Sequence, residues 1–289
     1  MPHIAIISKP QKPELKELLP ELISFLELRG YSIAIDDNSA EYLDGQAMQC
    51  CLMPRSEMPA LSPELVIVLG GDGTLLSAAR SFARTNTPIL SANLGSLGFL
   101  TEVPLSELYT TLDAWREGCC NVDQRSMMHA ELVREGQVFK AWDALNDVVI
   151  SKGAIARMGD YVVDIGGQRV ARFRADGIIV STPTGSTAYN LAANGPIVMG
   201  SVHAMVVTPI CPHLLTLRPI VTPADTEIRV AVYGIADQTF LTVDGQEAVE
   251  LKLNDELHVT RSTYSVRLVR LGQHGLFNVL RSKLKWGER

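Results

Sequence analysis

Apolar and polar positions give the chain two textures. In the first third, short apolar runs alternate with helical periodicities. Ile4 to Ile7 is a β-branched run. Leu15, Leu18, Leu19, Leu22 and Leu26 then recur at the spacing of one helix face, and Gly30 follows where that helix should end. Tyr31 to Ile35, Val66 to Leu69 and Pro88 to Ala92 read as strands. Thr74 to Arg84 and Leu105 to Arg116 read as helices. This alternation predicts an α/β N-terminal domain: a parallel sheet with helices on its faces.

After about Asn121 the strand-like pieces crowd around glycine turns. Met128 to Val133 precedes REGQ, Tyr161 to Ile165 precedes GGQR, and Thr239 to Val243 precedes DGQE. Ile228 to Tyr233 and Val266 to Leu271 are similar. One short helix, Ser186 to Ala193, is expected among them. The pattern predicts a mostly antiparallel, all-β C-terminal domain. Phe277 to Trp286 reads helical again, as a segment returning to the first domain. The expected division is 1–121, 122–271 and 272–289.

Composition narrows the function. With 46% apolar and 20% charged residues, the chain supports an ordinary globular core. A net charge of −6 argues against non-specific nucleic-acid binding. No apolar run approaches the roughly 18 residues of a membrane span. The start, MPHIAIISKP, reads as a first strand rather than a signal peptide, so a cytoplasmic protein is expected. The five cysteines and six histidines form no disulfide or zinc spacing, and no metal ligand is assigned to the chain itself.

Four segments carry candidate chemistry. In LVIVLGGDGTLL, Asp72 and Gly73 follow a buried strand. Asp72 reads either as a helix cap or as a proton acceptor beside glycine N–H groups that hold a phosphate. No Walker lysine follows it. NLGSLGFL reads as a plain connection anchored by Phe99 and Leu100, or less readily as a second phosphate-facing turn. Asn146 and Asp147 offer donors and acceptors suited to ribose hydroxyls or an adenine edge, and equally suit a turn before a strand. RADGIIVSTPTGSTAYNLAANGP is dense in hydroxyls and opens a helix, as a phosphate or sugar ligand requires. Arg172 and Arg174 lie within reach of phosphates there, and Tyr189 is suited to stack on a base.

GGDGT, NLGSLGFLTE, LNDVVI, DGIIVSTPTGSTAYNLAANGP and VDGQE, in this order, resemble the bacterial NAD kinase family. The resemblance runs from about Leu65 to Gln246. It implies transfer of the ATP γ-phosphoryl group to the 2′-hydroxyl of the adenosine ribose of NAD, giving NADP, with a divalent metal, magnesium by preference. It also implies a homodimer or homotetramer. By position it implies Asp72 as proton acceptor. NAD contacts are implied at Gly73, Asn146, Asp147, Arg157, Arg174 and Asp176. Others are implied along Thr187, Ala188, Tyr189, Asn190, Leu191 and Ala192, and at Gln246. Asp147 stands where many members carry Glu, and Ala192 where many carry Ser. Two other readings stay open: a lipid or sugar-phosphate kinase sharing the GGDG turn, and a non-catalytic dinucleotide sensor.

Overall fold

In the computed structural model the described residues are 1–43, 50–95, 98–153, 157–234, 238–270 and 276–287. The chain divides into two compact units, Met1–Gln124 with Val266–Arg289, and Arg125–Ser265. The expected boundary after residue 271 lies outside the described residues, as does Leu271, the expected end of the last strand.

The first unit contains β1 (His3–Ser8), α1 (Leu15–Glu27), β2 (Ser32–Asp36), β3 (Cys50–Met53), β4 (Leu65–Gly70), α2 (Asp72–Phe82), β5 (Pro88–Asn93), β6 (Val103–Pro104) and α3 (Leu108–Arg116). Its main strands run in the order β3-β2-β1-β4-β5, every pairing parallel. The leucine stripe of α1 is the face it buries: Leu15, Leu18, Leu19, Leu22 and Leu26 pack with Ile4, Ile6 and Ile67 in one cluster. Each such side chain contributes roughly 1.5–3 kcal/mol relative to exposure. Gly30 ends the helix at φ +84°, a left-handed value that a side chain would resist.

The second texture becomes β7 (Asn121–Arg134), β8 (Gln137–Ala144), β9 (Asp147–Lys152), β10 (Gly159–Ile165), β11 (Gln168–Ala175), β12 (Gly177–Ser181), α4 (Tyr189–Ala192), β13 (Ala204–Ile210), β14 (Ile220–Pro223), β15 (Ile228–Gly234), β16 (Thr239–Val243), β17 (Glu247–Glu250) and β18 (Glu256–Arg270). Within the second unit, β14-β13-β12-β9-β16-β17 form one wholly antiparallel sheet. The antiparallel run β11-β10-β15-β18 and the β7–β8 hairpin supply the opposing layer. Alternate residues such as Met128, Ala130 and Leu132, or Val148 and Ile150, fill one shared core. That two-residue period is the signature of packed strands.

The end of β18 pairs in parallel with β5 through Arg267 and Leu268, so residues from Val266 onward belong to the first unit. α5 (Leu276–Leu284) follows in that unit and buries Val279 and Leu280. The expected helix at Ser186 to Ala193 is instead a 3-10 turn, Gly185–Thr187, and the single turn α4. Its hydroxyls bond nearby carbonyls, Ser186 Oγ to Pro183 and Thr187 Oγ1 to Thr184, which competes with a longer helix. Among the described residues no helix is long and apolar enough to cross a membrane.

Candidate active site

In an order of β3-β2-β1-β4-β5 the connections reverse direction between β1 and β4, and ligands bind outside the carboxyl ends of the strands at such a point. A cavity of about 240 Å³ lies there. Lys9 and Lys12 follow β1, Gly70 ends β4 with Gly71 and Asp72 after it, and Asn93 ends β5 with Leu94 and Gly95 after it; Gly98 and Lys283 also line it. Three lysines and the N-terminus of α2 make this a place for phosphates.

Asp72 is the first residue of α2, but it does not cap its own helix. Its carboxylate accepts four hydrogen bonds from one loop. Phe99 N–H donates to Oδ2 at 2.9 Å; Leu100 N–H, Thr101 N–H and Thr101 Oγ1 donate to Oδ1 at 3.1, 3.0 and 3.0 Å. Asn93 Nδ2 in turn donates to Thr101 Oγ1 at 2.8 Å, and Asn93 Oδ1 accepts Gly95 N–H at 2.7 Å. Among the described residues Oδ1 is thus engaged three times and Oδ2 once. Oδ2 keeps the spare lone pair that can meet a hydroxyl proton. The loop comes this close because residue 98 is glycine: a Cβ there would lie 2.1 Å from Asp72 Oδ1.

This corrects the reading of NLGSLGFL as a plain connection. Leu100 is buried and Phe99 half-buried, but the backbone N–H groups of the segment orient the carboxylate. Ser96 and Leu97 of that motif lie outside the described residues. Lys283 Nζ sits 5.8 Å from the Phe99 ring centroid, so α5 contributes to the same cavity. Lys9, Lys12 and Lys283 were not singled out by sequence, since nothing local marks an isolated lysine as facing a phosphate site.

In the second unit Asn146 and Asp147 form a buried corner, 8% and 5% exposed. Asn146 is clamped through its backbone: its carbonyl accepts Thr182 N–H at 2.9 Å and Ser181 Oγ at 3.3 Å. Gly185 allows this, because a Cβ there would lie 2.1 Å from the Asn146 oxygen. Among the described residues the buried Asn146 side-chain oxygen has no hydrogen-bond partner. Such an acceptor is costly unless something fills it. The Asp147 carboxyl is pushed up to about 7, first by burial and then by the charge of Asp244.

The remaining predicted residues separate into two groups. Tyr189 is 44% exposed, and Thr187, Ala188, Leu191 and Ala192 are exposed or partly so. Arg157, Arg174 and Gln246 are exposed, while Asp176 pairs with Lys152 at 3.0 Å. Asn190 is placed differently from its neighbours. It is fully buried; its Nδ2 donates to the Ser186 and Pro196 carbonyls at 3.0 Å, and its Oδ1 accepts Thr208 Oγ1 at 2.7 Å. Its side chain holds the turn.

Among the described residues no cluster of three or more His, Cys, Asp or Glu is placed to hold a metal ion. The carboxylate lining the cavity already has four donors, and its other charged neighbours are lysines. This donor set does not suit a cation held by the protein alone.

One unit with a parallel sheet and a phosphate-suited cavity at its switch point, and a second, antiparallel unit with a buried Asn–Asp corner, define a nucleotide-handling α/β plus all-β protein. The family follows from comparison. Residues 4–119 match the ATP-NAD kinase N-terminal domain and residues 145–271 the ATP-NAD kinase C-terminal domain, and the chain belongs to that family. It is 60% identical to the NAD kinase of Acidobacterium capsulatum over 289 residues, covering 100% of both chains. It is 48% identical to the NAD kinase of Koribacter versatilis, again over 100% of both. The crystal structure of yeast NADH kinase complexed with NADH superposes with a TM-score of 0.91 at 26% identity, covering 100% of this chain and 89% of that one. An NAD kinase from Archaeoglobus fulgidus in complex with ATP shares the fold, with a TM-score of 0.75 at 24% identity and 98% of each chain covered.

Proposed function

We propose that the protein phosphorylates NAD. The γ-phosphoryl group of ATP passes to the 2′-hydroxyl of the adenosine ribose, giving NADP and ADP. The observation that carries this reading is the Asp72 carboxylate, held by four donors at the rim of a lysine-lined cavity, with one lone pair of Oδ2 spare. Oδ2 orients the hydroxyl and takes its proton as the oxygen–phosphorus bond forms and the β–γ bridge breaks. Phosphoryl transfer runs through a loose transition state, so a weak base suffices where proton transfer comes late. Lys9, Lys12, Lys283 and the amino end of α2 hold the donor phosphates and offset the charge that collects on the leaving ADP.

Asn146 and Asp147 serve NAD, whose polar edge fills the unpartnered Asn146 oxygen. Gly73, Arg157, Arg174, Asp176, Thr187, Ala188, Tyr189, Leu191, Ala192 and Gln246 are proposed as further NAD contacts. The divalent cation, magnesium by preference, enters on the nucleotide phosphates. The working assembly is a homodimer or homotetramer in the cytoplasm, read by light scattering and by fractionation.

The test is to incubate purified protein with labelled ATP and magnesium, offering NAD, NADP, diacylglycerol or fructose 6-phosphate separately. Label is expected on NAD alone; in NADP the 2′-hydroxyl of the adenosine ribose is already esterified. Label on the lipid or sugar favours the related kinases, and no label anywhere favours a sensor. Asp72→Asn should keep the fold while turnover falls by roughly two to four orders of magnitude.

A further inference from the structure

β16 and β17 are joined by a tight turn whose residues Asp244 and Gly245 both have positive φ, +49° and +63°. The bland account of Asp-Gly at these places is a type I′ hairpin turn. That account does not explain where the Asp244 side chain goes. It is buried, 6% exposed, and points at another part of the unit. Its Oδ2 accepts Leu145 N–H at 3.1 Å, and its Oδ1 accepts Asn146 N–H at 2.7 Å and Asp147 N–H at 3.2 Å. The Asp244 N–H donates back to the Asp147 carbonyl at 2.9 Å.

We propose that Asp244 is a positioning residue for NAD recognition, its carboxylate gathering three consecutive backbone N–H groups so that Asn146 and Asp147 are aimed as a pair. Three amides converging on one anion form a nest, a strong and directional arrangement. Without it those buried amides would be left unsatisfied, and the corner would relax. The same carboxylate is the charged group acting on Asp147. On β12 the residue opposite Asp147 is the neutral Ser181; on the β16 side the ladder pairs Val243 with Val148, and Asp244 itself lies next, bonded to the Asp147 carbonyl. Asp244 therefore raises the Asp147 carboxyl while holding its backbone. This rests on the proposed NAD site, and it adds a residue that does not itself touch the dinucleotide.

The test uses Asp244→Asn in the full chain. Asn keeps the left-handed turn, but it removes the charge and replaces one acceptor oxygen with a donor. Wild-type turnover of NAD is confirmed first; its absence rejects the proposed function. The Asp147 carboxyl is followed by NMR with 13C-labelled aspartate, assigned through Asp147→Asn, so this readout needs no activity. In Asp244→Asn the Asp147 midpoint should fall by about one unit or more. KM for NAD should rise about tenfold or more, which is 1.4 kcal/mol, while KM for ATP stays put. A midpoint that does not move overturns the proposal, even if KM rises, because a merely structural turn would do that. An unchanged KM for NAD overturns it too. If the Asn variant does not accumulate, Asp244→Gly keeps the positive φ and takes its place. Failure of both to fold would make the carboxylate a folding element and overturn the positioning role.

Discussion

The buried Asp147 makes a quantitative prediction about stability and pH. Its carboxyl stands at about 7 in the folded protein against an ordinary 3.8, because burial and Asp244 both disfavour its charge. The folded state therefore keeps a proton that the unfolded chain has already lost. Stability linked to this group is full below pH 3.8 and is lost as the pH rises through about 7. Asp147→Asn is nearly isosteric and cannot ionise. At pH 5.5 the wild-type side chain is still neutral, and at pH 8.5 it is charged. The variant should therefore gain on the wild type between these two values. About 1.5 units at 1.36 kcal/mol per unit give about 2 kcal/mol. The assay is urea denaturation of both proteins at both pH values, followed by a β-sheet signal. A stability difference between variant and wild type that is equal at pH 5.5 and pH 8.5 would refute the reasoning. So would a difference that shrinks as the pH rises.

Gly98→Ala should cost about 1–3 kcal/mol of stability and lower turnover at least about tenfold, since its Cβ would press on Asp72 and Thr101; urea midpoints and kcat read the two effects. Lys283→Ala should raise KM for ATP roughly five- to thirtyfold and leave KM for NAD alone, because it removes one exposed charge from the phosphate cavity. Asn146→Ala should do the reverse. It loses the buried oxygen that awaits a partner, and should weaken NAD roughly three- to a hundredfold with little change for ATP.

The sequence by itself determined many of the strands and most of the helices, because burial on one face leaves a period of two or of about 3.6 residues in the chain. The α1 stripe, the β4 run and the crowded strands of the second unit follow from that alone. It also determined the family, through GGDGT and the STPTGSTAY segment, and so the placing of Asp72 and Asn146 among candidate residues. β13, Ala204–Ile210, is buried along nearly its whole length and so shows no alternation, while partner strands such as β8 and β11, largely exposed, carry little apolar signal of their own.

Contacts between distant positions were decided by the tertiary structure. Asp72 is oriented by residues 27 to 29 positions away, and Asn146 by an aspartate 98 positions away. The donors in both cases include backbone N–H groups, which every residue but proline carries and which therefore leave no mark in the sequence. Asn190 shows the converse. Its place in a ligand-binding motif suggested a contact, yet packing turned it inward to Ser186, Pro196 and Thr208. A side chain's direction depends on what surrounds it in space, and one-dimensional order does not contain that.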